Sequence, residues 1–126
     1  MDFLFIFGRI LFGGYFLMSG IQHFKYLTNM IGYAASKKVP APKIAVMATG
    51  LLLLLSGLSV ILGVYTFYAF IALAVFLVVT AFVMHDFWRQ EDHNMKMMEM
   101  HQMLKNMALA GASLMALMIS DWPFSL

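Results

Sequence analysis

Apolar residues dominate four long segments of the chain, and polar residues collect in the connections between them. The segments cover about residues 3–23, 44–62, 67–87 and 105–122. A helix needs roughly 20 apolar residues to cross a bilayer core of about 30 Å, so each segment is close to that length. The pattern predicts an all-α integral membrane protein, with residues 1–126 forming one domain folded as an antiparallel four-helix bundle.

Residues 24–43 connect the first two predicted spans and contain a shorter apolar pattern. Its apolar positions precede two lysines and the sequence VPAP at residues 39–42, and they are Tyr26, Leu27, Met30, Ile31 and Ala34. We expect a short interfacial helix here, which is either a plain connector or a lid over the mouth of the bundle.

Composition supports the membrane assignment, because 63% of the residues are hydrophobic and only 11% are charged. A water-soluble domain is rarely so apolar. The formal net charge is +2, but the basic residues form no single patch, so we expect no nucleic-acid partner. The chain contains no cysteine, which excludes disulfides and thiolate metal sites.

Basic residues predict the orientation of the bundle. The connections on one side of the predicted membrane contain Lys25, Lys37, Lys38, Lys43, Arg89, Lys96 and Lys105. The termini and the tight hairpin on the other side contain no lysine or arginine. The positive-inside rule therefore places both long loops in the cytoplasm and both termini outside.

The first predicted span has one face that combines charged and small residues. At 100° per residue this face contains Arg9, Gly13, Phe16, Gly20 and His23, and we expect it to point into the bundle. A cation is costly near the centre of a bilayer. Arg9 is therefore either a structural or snorkelling arginine or a residue that binds a ligand or anion.

Polar residues from three predicted helices meet at the cytoplasmic end of the bundle. His23 ends the first helix, His85 ends the third, and Lys105 begins the fourth. A histidine beside an aspartate suits proton exchange near neutral pH, as with a reducible head group such as a quinone. Alternatively, the two histidines only close the bundle by hydrogen bonding. The full set of candidate ligand-binding residues is Arg9, His23, His85, Asp86, Trp88, Lys105 and Asn106.

Methionine and histidine are concentrated in residues 93–107. Their thioether and imidazole groups suit copper(I), and the candidate ligands are His93, Met97, Met100 and His101. Helical spacing relates Met97, Met100, His101, Leu104 and Met107, which favours an amphipathic extension of the fourth helix against the membrane or a protein partner. Its predicted solvated face contains Glu91, Asp92, Lys96 and Glu99. Haem ligation by two histidines on different helices is a further alternative.

Small residues recur every four positions in the fourth predicted span. They are Ala108, Ala112, Ala116 and Ser120. Such a strip predicts close helix contact, either within the chain or in a homo-oligomer.

Five segments of the chain resemble the DoxX family. They are GRILFGGYFLMSGIQHF at residues 8–24, VPAP at 39–42, GLSVILGVYT at 57–66, HDFW at 85–88 and MLKNMALAG at 103–111. The resemblance implies a four-helix protein of the bacterial cytoplasmic (inner) membrane, from a family named after a subunit of a terminal quinol oxidase. A related group forms the membrane subunit of thiosulfate:quinone oxidoreductase, and distant relatives are cargo receptors or assembly chaperones.

One segment departs from the family pattern. Many members have a glutamate in the second helix, where residues 52–55 of this chain are all leucine. Our first functional hypothesis is a quinone-associated subunit, part of an oxidoreductase if catalytic, that binds a lipid-soluble ligand near the cytoplasmic end. The second is a non-catalytic assembly protein that docks a partner through its methionine-rich segment. Copper or haem handling is the third.

Overall fold

The computed structural model describes residues 2–125, and every regular element in that range is helical. The helices are α1 (Asp2–Lys25), α2 (Leu27–Ser36), α3 (Pro42–Leu62), α4 (Thr66–Val83) and α5 (His93–Ala116). A 3-10 turn, Phe87–Arg89, lies between α4 and α5. The predicted all-α class is confirmed, and α2 is a short helix where we expected one.

Three stretches of the described chain are long and apolar enough to cross a membrane. They are α1, α3 and Thr66–Arg89, which begins with α4. The fifth helix has 24 residues, but its first half is rich in polar side chains. Large apolar side chains are exposed along the outer surfaces of α1, α3 and α4, as helices surrounded by lipid require. These properties are those of a membrane protein.

Close backbone contact joins α1 to α3. The buried residues of α1 are Arg9, Gly13, Phe16 and Gly20, which confirms the predicted inward face. A Cβ atom at Gly13 would lie 2.7 Å from the backbone oxygen of Gly57, and one at Gly20 would lie 2.8 Å from that of Gly50. The helices can approach this closely only because glycine has no side chain.

A tight turn reverses the chain between α3 and α4. Gly63 has a φ of 73°, in the left-handed region that glycine adopts without strain, and its N–H donates to the carbonyl of Ser59. A Cβ atom at Gly63 would also lie 2.8 Å from Nη2 of Arg9. The turn therefore places α3 and α4 antiparallel and leaves space for the Arg9 guanidinium.

The interior packs α4 and α5 against the α1–α3 pair. One hydrophobic cluster of buried side chains in this interior consists of Phe16, Leu53, Leu73, Leu77 and Ala110. The inward face of α5 contains Glu99, Asn106, Ala110 and Ser113. In the predicted small-residue strip, by contrast, Ala108 and Ala112 are exposed. The strip is therefore divided, because Ala108 and Ala112 point away from the rest of the described chain, whereas Ala116 packs against the buried cluster of Val60, Ala69 and Phe70.

The bounds of α5 differ from the predicted span at 105–122. The helix begins at His93, where Asp92 accepts a hydrogen bond of 3.1 Å from the N–H of Met95 as an N-cap. It ends at Ala116, and the following residues turn back so that the carbonyl of Pro123 accepts a hydrogen bond from Arg9. The methionine-rich segment is thus the first half of one continuous helix.

Substituting Gly57 should destabilise the protein more than substituting Gly14. A Cβ atom at Gly57 would lie 2.6 Å from the backbone oxygen of Gly13, whereas one at Gly14 meets nothing within 4 Å. We expect Gly57→Ala to lower the free energy of unfolding by about 1–3 kcal/mol, because the two backbones must separate. Gly14→Ala should be neutral. Thermal unfolding in detergent micelles, followed by circular dichroism, measures both, and equal melting temperatures would contradict this packing.

Candidate functional site

A cavity of about 370 Å³ lies beneath α2. It is lined by α2, the second half of α1, the first half of α3, the end of α4 and the middle of α5. Phe16, Leu53 and Leu77 form part of its wall and also belong to the buried core. Both the size and the apolar wall are typical of sites that bind small ligands.

Four of the residues predicted from the sequence line this cavity together. They are His23, His85, Lys105 and Asn106. The antiparallel arrangement brings the end of α1, the segment after α4 and the middle of α5 to the same place. The cavity therefore combines an apolar interior with polar groups near α2, and ligand binding by these four residues stays a prediction.

Hydrogen bonds leave specific polar atoms of these residues free. His23 Nδ1 lies 2.9 Å from the carbonyl oxygen of Ser19. A carbonyl only accepts, so Nδ1 carries the proton, and Nε2 of the neutral ring is left as an acceptor. The side chain of Asn106 is buried and lies in the cavity wall.

Lys105 brings a positive charge to the cavity. Its Nζ donates to Tyr15 OH and to Gln102 Oε1, each at 2.8 Å. Both acceptors are neutral, and within residues 2–125 no carboxylate lies within 4.0 Å of this ammonium group. An electron-rich ligand oxygen would therefore find an available donor here.

A cluster of ionised and polar side chains lies directly beside the cavity. We call it the Glu99 cluster, and it consists of Tyr33, Lys37, His85, Asp86 and Glu99. Glu99 is only 3% exposed and accepts hydrogen bonds from Tyr33 OH at 2.8 Å and from Lys37 Nζ at 3.0 Å. Lys37 Nζ also lies 2.5 Å from Asp86 Oδ1. Charge pairing and hydrogen bonding together compensate for the loss of water around these groups.

His85 belongs to both the cavity wall and the Glu99 cluster. Its Nδ1 is buried, makes no hydrogen bond within the described residues, and lies 3.6 Å from Glu99 Oε1. A buried polar atom without a hydrogen bond costs about 1–3 kcal/mol. Such long contacts often shorten when a ligand binds. His85 is therefore the link between the cavity and the buried carboxylate.

The Glu99 cluster fixes the protonation states of two hydrogen-bond donors, Lys37 and Tyr33. Burial would lower the pKa of Lys37, but hydrogen bonds and charge attraction from Asp86 and Glu99 outweigh it and raise this pKa. Burial, the hydrogen bond to Glu99 and the nearby carboxylate charges raise the pKa of Tyr33 well above its usual value. Lys37 thus stays a cation and Tyr33 stays a neutral hydrogen-bond donor. Their contacts with Glu99 hold the C-terminal end of α2 over the cavity.

Arg9 lies away from the cavity, at the opposite end of α3. It is 5% exposed and donates to the carbonyls of Ile61 at 2.8 Å, Val60 at 3.3 Å and Pro123. Its guanidinium also stacks on the ring of Trp122, 5.4 Å from the centroid. These contacts are structural, because they close the end of α3 and hold the C-terminal segment.

Two further predicted site residues do not line the cavity. Asp86 is held by Lys37 and also accepts from Gln90 Nε2 at 3.2 Å. Trp88 is 47% exposed, and its ring lies 6.4 Å from that of Phe82. Neither residue is placed to contact a ligand inside the cavity directly.

The sequence did not point to Tyr33, Lys37 or Glu99 as site residues. The prediction that Glu99 lies on a solvated face is wrong, because its carboxylate is buried against α2. A signal was present: Glu99 precedes Asn106 by seven residues, which places both on the same face of a helix. The other charged residues of that predicted face, Glu91, Asp92 and Lys96, are exposed.

The methionine-rich segment brings its candidate copper ligands onto one helix. His93, Met97 and His101 are exposed, and Met100 is half-buried. Within residues 2–125, no group of three or more histidine, aspartate or glutamate side chains is placed to hold a metal ion. A copper site here would therefore depend on thioether ligands.

Removing Lys37 should destabilise the protein, whereas removing its exposed neighbour Lys38 should not. Lys37→Met leaves the carboxylates of Asp86 and Glu99 buried without their cation, which costs about 3 kcal/mol. Lys38→Met is the matched control, because Lys38 is exposed. Melting temperatures in detergent measure both, and equal values would contradict a stabilising role for Lys37.

The pH dependence of stability, compared between the wild type and Lys37→Met, tests the same role of Lys37. Because the pKa of Lys37 is raised above 10.5, its stabilisation is complete below that pH. It is lost only as the pH rises through the raised folded-state value. The difference in melting temperature between the wild type and Lys37→Met should therefore persist from about pH 7 to about pH 10 and shrink at higher pH.

Comparison with known proteins places the chain in a family. The family model described as DoxX matches residues 4–86, which include all of α2, α3 and α4 and most of α1, and which reach His85 and Asp86. No curated protein and no solved structure shows significant similarity to the chain. The match covers well over half of the sequence and agrees with the apolar, helical structure. The protein belongs to the DoxX family.

Proposed function

We propose that this protein is a quinone-binding membrane subunit of a redox assembly. The observation that carries the proposal is the cavity of about 370 Å³ beneath α2, whose mainly apolar wall includes His23, His85, Lys105 and Asn106. A quinone has the matching chemistry, because two ring oxygens form hydrogen bonds and the ring and tail are apolar. Sites of this kind use few polar groups to orient a mainly apolar ligand.

The free polar atoms assign a role to each side chain. Nε2 of His23 accepts a hydrogen bond from a ligand hydroxyl, because its Nδ1 already donates to Ser19. Lys105 and Asn106 donate to a ligand oxygen. Phe16 and Leu53 pack against the ring and the beginning of the tail.

The membrane arrangement forms part of the same proposal. In it, the apolar half of α5 serves as a fourth membrane helix beside α1, α3 and α4. The lysine-rich connections lie in the cytoplasm of a bacterial cell, and both termini lie outside its inner membrane. The distribution of lysine and arginine supports this orientation. Lys37 and Lys105 lie at the end of the bundle that contains the cavity, and Arg9, at the other end, is buried within the protein.

Replacing both cavity histidines should abolish quinone binding. His23→Phe with His85→Phe removes two ring nitrogens from the cavity wall and keeps aromatic volume. The matched control is His93→Phe with His101→Phe, since both of those histidines are exposed on α5. Titration of the purified protein in lipid nanodiscs with a short-chain quinone, followed by calorimetry, measures binding. Unchanged binding by the cavity double variant would rule out this site.

A second function is favoured by a separate observation. Met95, Met97 and Met98 are all exposed in the first, polar half of α5. Exposed, flexible methionines suit adaptable protein contacts. We propose, as the alternative, a non-catalytic assembly protein that docks a partner on this segment. The outward strip of Ala108 and Ala112 is available for a homo-oligomer in either case.

Changing the exposed methionines tests this alternative without disturbing Glu99. Met95, Met97 and Met98 are replaced together by Gln, and the control replaces Asn94 and Lys96 by Gln in the same turns. If the segment docks a partner, cross-linking and mass spectrometry should show that protein lost from the methionine variant and retained by the control. Retention of every co-purifying protein would contradict the docking role.

A further inference from the structure

The two histidines of the cavity wall are held in a similar way. His23 has Nδ1 occupied by the carbonyl of Ser19. His85 has Nδ1 directed at the buried carboxylate of Glu99, at 3.6 Å from Oε1. In each ring, therefore, Nδ1 faces an oxygen of the protein, and Nε2 is the nitrogen that remains for a ligand.

The surroundings of His85 select one form of its ring. A lone pair on Nδ1 would face the carboxylate charge, whereas an N–H group at that position is attracted to it. The charged and titratable groups around His85 are Glu99 and Lys105 from α5, Tyr33 and Lys37 from the α2 side, and the adjacent Asp86. Burial, followed by the charges of Lys105 and Lys37, opposes a positive charge on the ring. The neutral Nδ1–H form satisfies all of these interactions.

We propose that Glu99 determines ligand specificity by fixing His85 in the Nδ1–H form, so that two Nε2 acceptors face the cavity. Such a site takes a ring that carries hydroxyl groups, the reduced quinol, in preference to the oxidised quinone. This inference rests on the proposed function and names the redox form that the site binds. Glu99 acts through His85 and is therefore a positioning residue.

The preference follows from hydrogen-bond complementarity. A quinol hydroxyl donates to an Nε2 lone pair, whereas a quinone carbonyl has no hydrogen to donate and places a lone pair against a lone pair. Lys105 and Asn106 can donate to an oxygen of either form, so they do not discriminate between the two. The histidine pair is thus the part of the wall that distinguishes the redox forms.

Glu99→Gln should reverse the polarity of His85. Lys37 Nζ lies 3.0 Å from Glu99 Oε2, so it will hold the amide oxygen of the glutamine on its side. The amide NH₂ then takes the place of Oε1 and donates to Nδ1 of His85. The ring is thereby converted to the Nε2–H form, which offers the cavity a donor.

Nitrogen-15 NMR tests the ring forms without any ligand. The full-length protein is labelled with ¹⁵N-histidine at neutral pH in a background where exposed His93 and His101 are Gln. We expect Nδ1–H for both rings in the wild type and in the control Glu91→Gln, which removes an exposed carboxylate outside the Glu99 cluster. Glu99→Gln should change His85 alone, with His23 as the internal control. An Nε2–H or doubly protonated His85 in the wild type would overturn the inference, even if Glu99→Gln failed to fold.

Binding of matched quinol and quinone probes tests the consequence. We expect decyl-ubiquinol to bind the wild type and the control Glu91→Gln at least about fivefold more tightly than decyl-ubiquinone, and Glu99→Gln to lose this preference. Equal affinities in the wild type would overturn the inference and leave the proposed function standing. Binding of neither probe would overturn the proposed function and, with it, the quinol preference. The NMR result would then report only whether Glu99 orients His85.

Discussion

A carboxylate buried at the end of an apolar bundle keeps its charge only if donors replace the water that it has lost. Glu99 meets this condition with Tyr33 from α2 and Lys37 from the segment that follows it. Lys37 in turn pairs with Asp86, beyond the end of α4. Through Lys37, the buried charge on α5 therefore connects α5, the end of α2 and the segment after α4. Because those parts form the roof and one wall of the cavity, its shape depends on these contacts.

A second buried charge organises the opposite end. Arg9 reaches the carbonyls of Val60, Ile61 and Pro123, so α1, the end of α3 and the C-terminal segment are joined by one guanidinium. From Leu53 in the cavity wall to Val60 is seven residues of helix, or about 10 Å. The two charged clusters are thus well separated, and apolar packing and glycine contacts fill the space between them.

The periodicity of the sequence predicted the helices and the buried face of α1, because a helix in lipid must direct its charged and small residues inward. It also brought His23, His85 and Lys105 together, since the ends of antiparallel helices are neighbours. Glu99 and Lys37 were missed for a different reason. A charged residue in a polar segment is buried or solvated according to partners that are distant in sequence, and local spacing contains little information about them.

The resemblance to the DoxX family implies a glutamate in the second predicted span, where residues 52–55 of this chain are all leucine. In the structure, Leu53 forms part of the cavity wall, while Glu99 stands behind His85. A carboxylate behind an imidazole orients the ring and stabilises it when protonated, without touching the ligand. In the proposed site, the ring rather than an acid meets the ligand hydroxyl. The proposed quinol site therefore does not need a glutamate in α3, because Glu99 on α5 lies outside the cavity lining and next to His85.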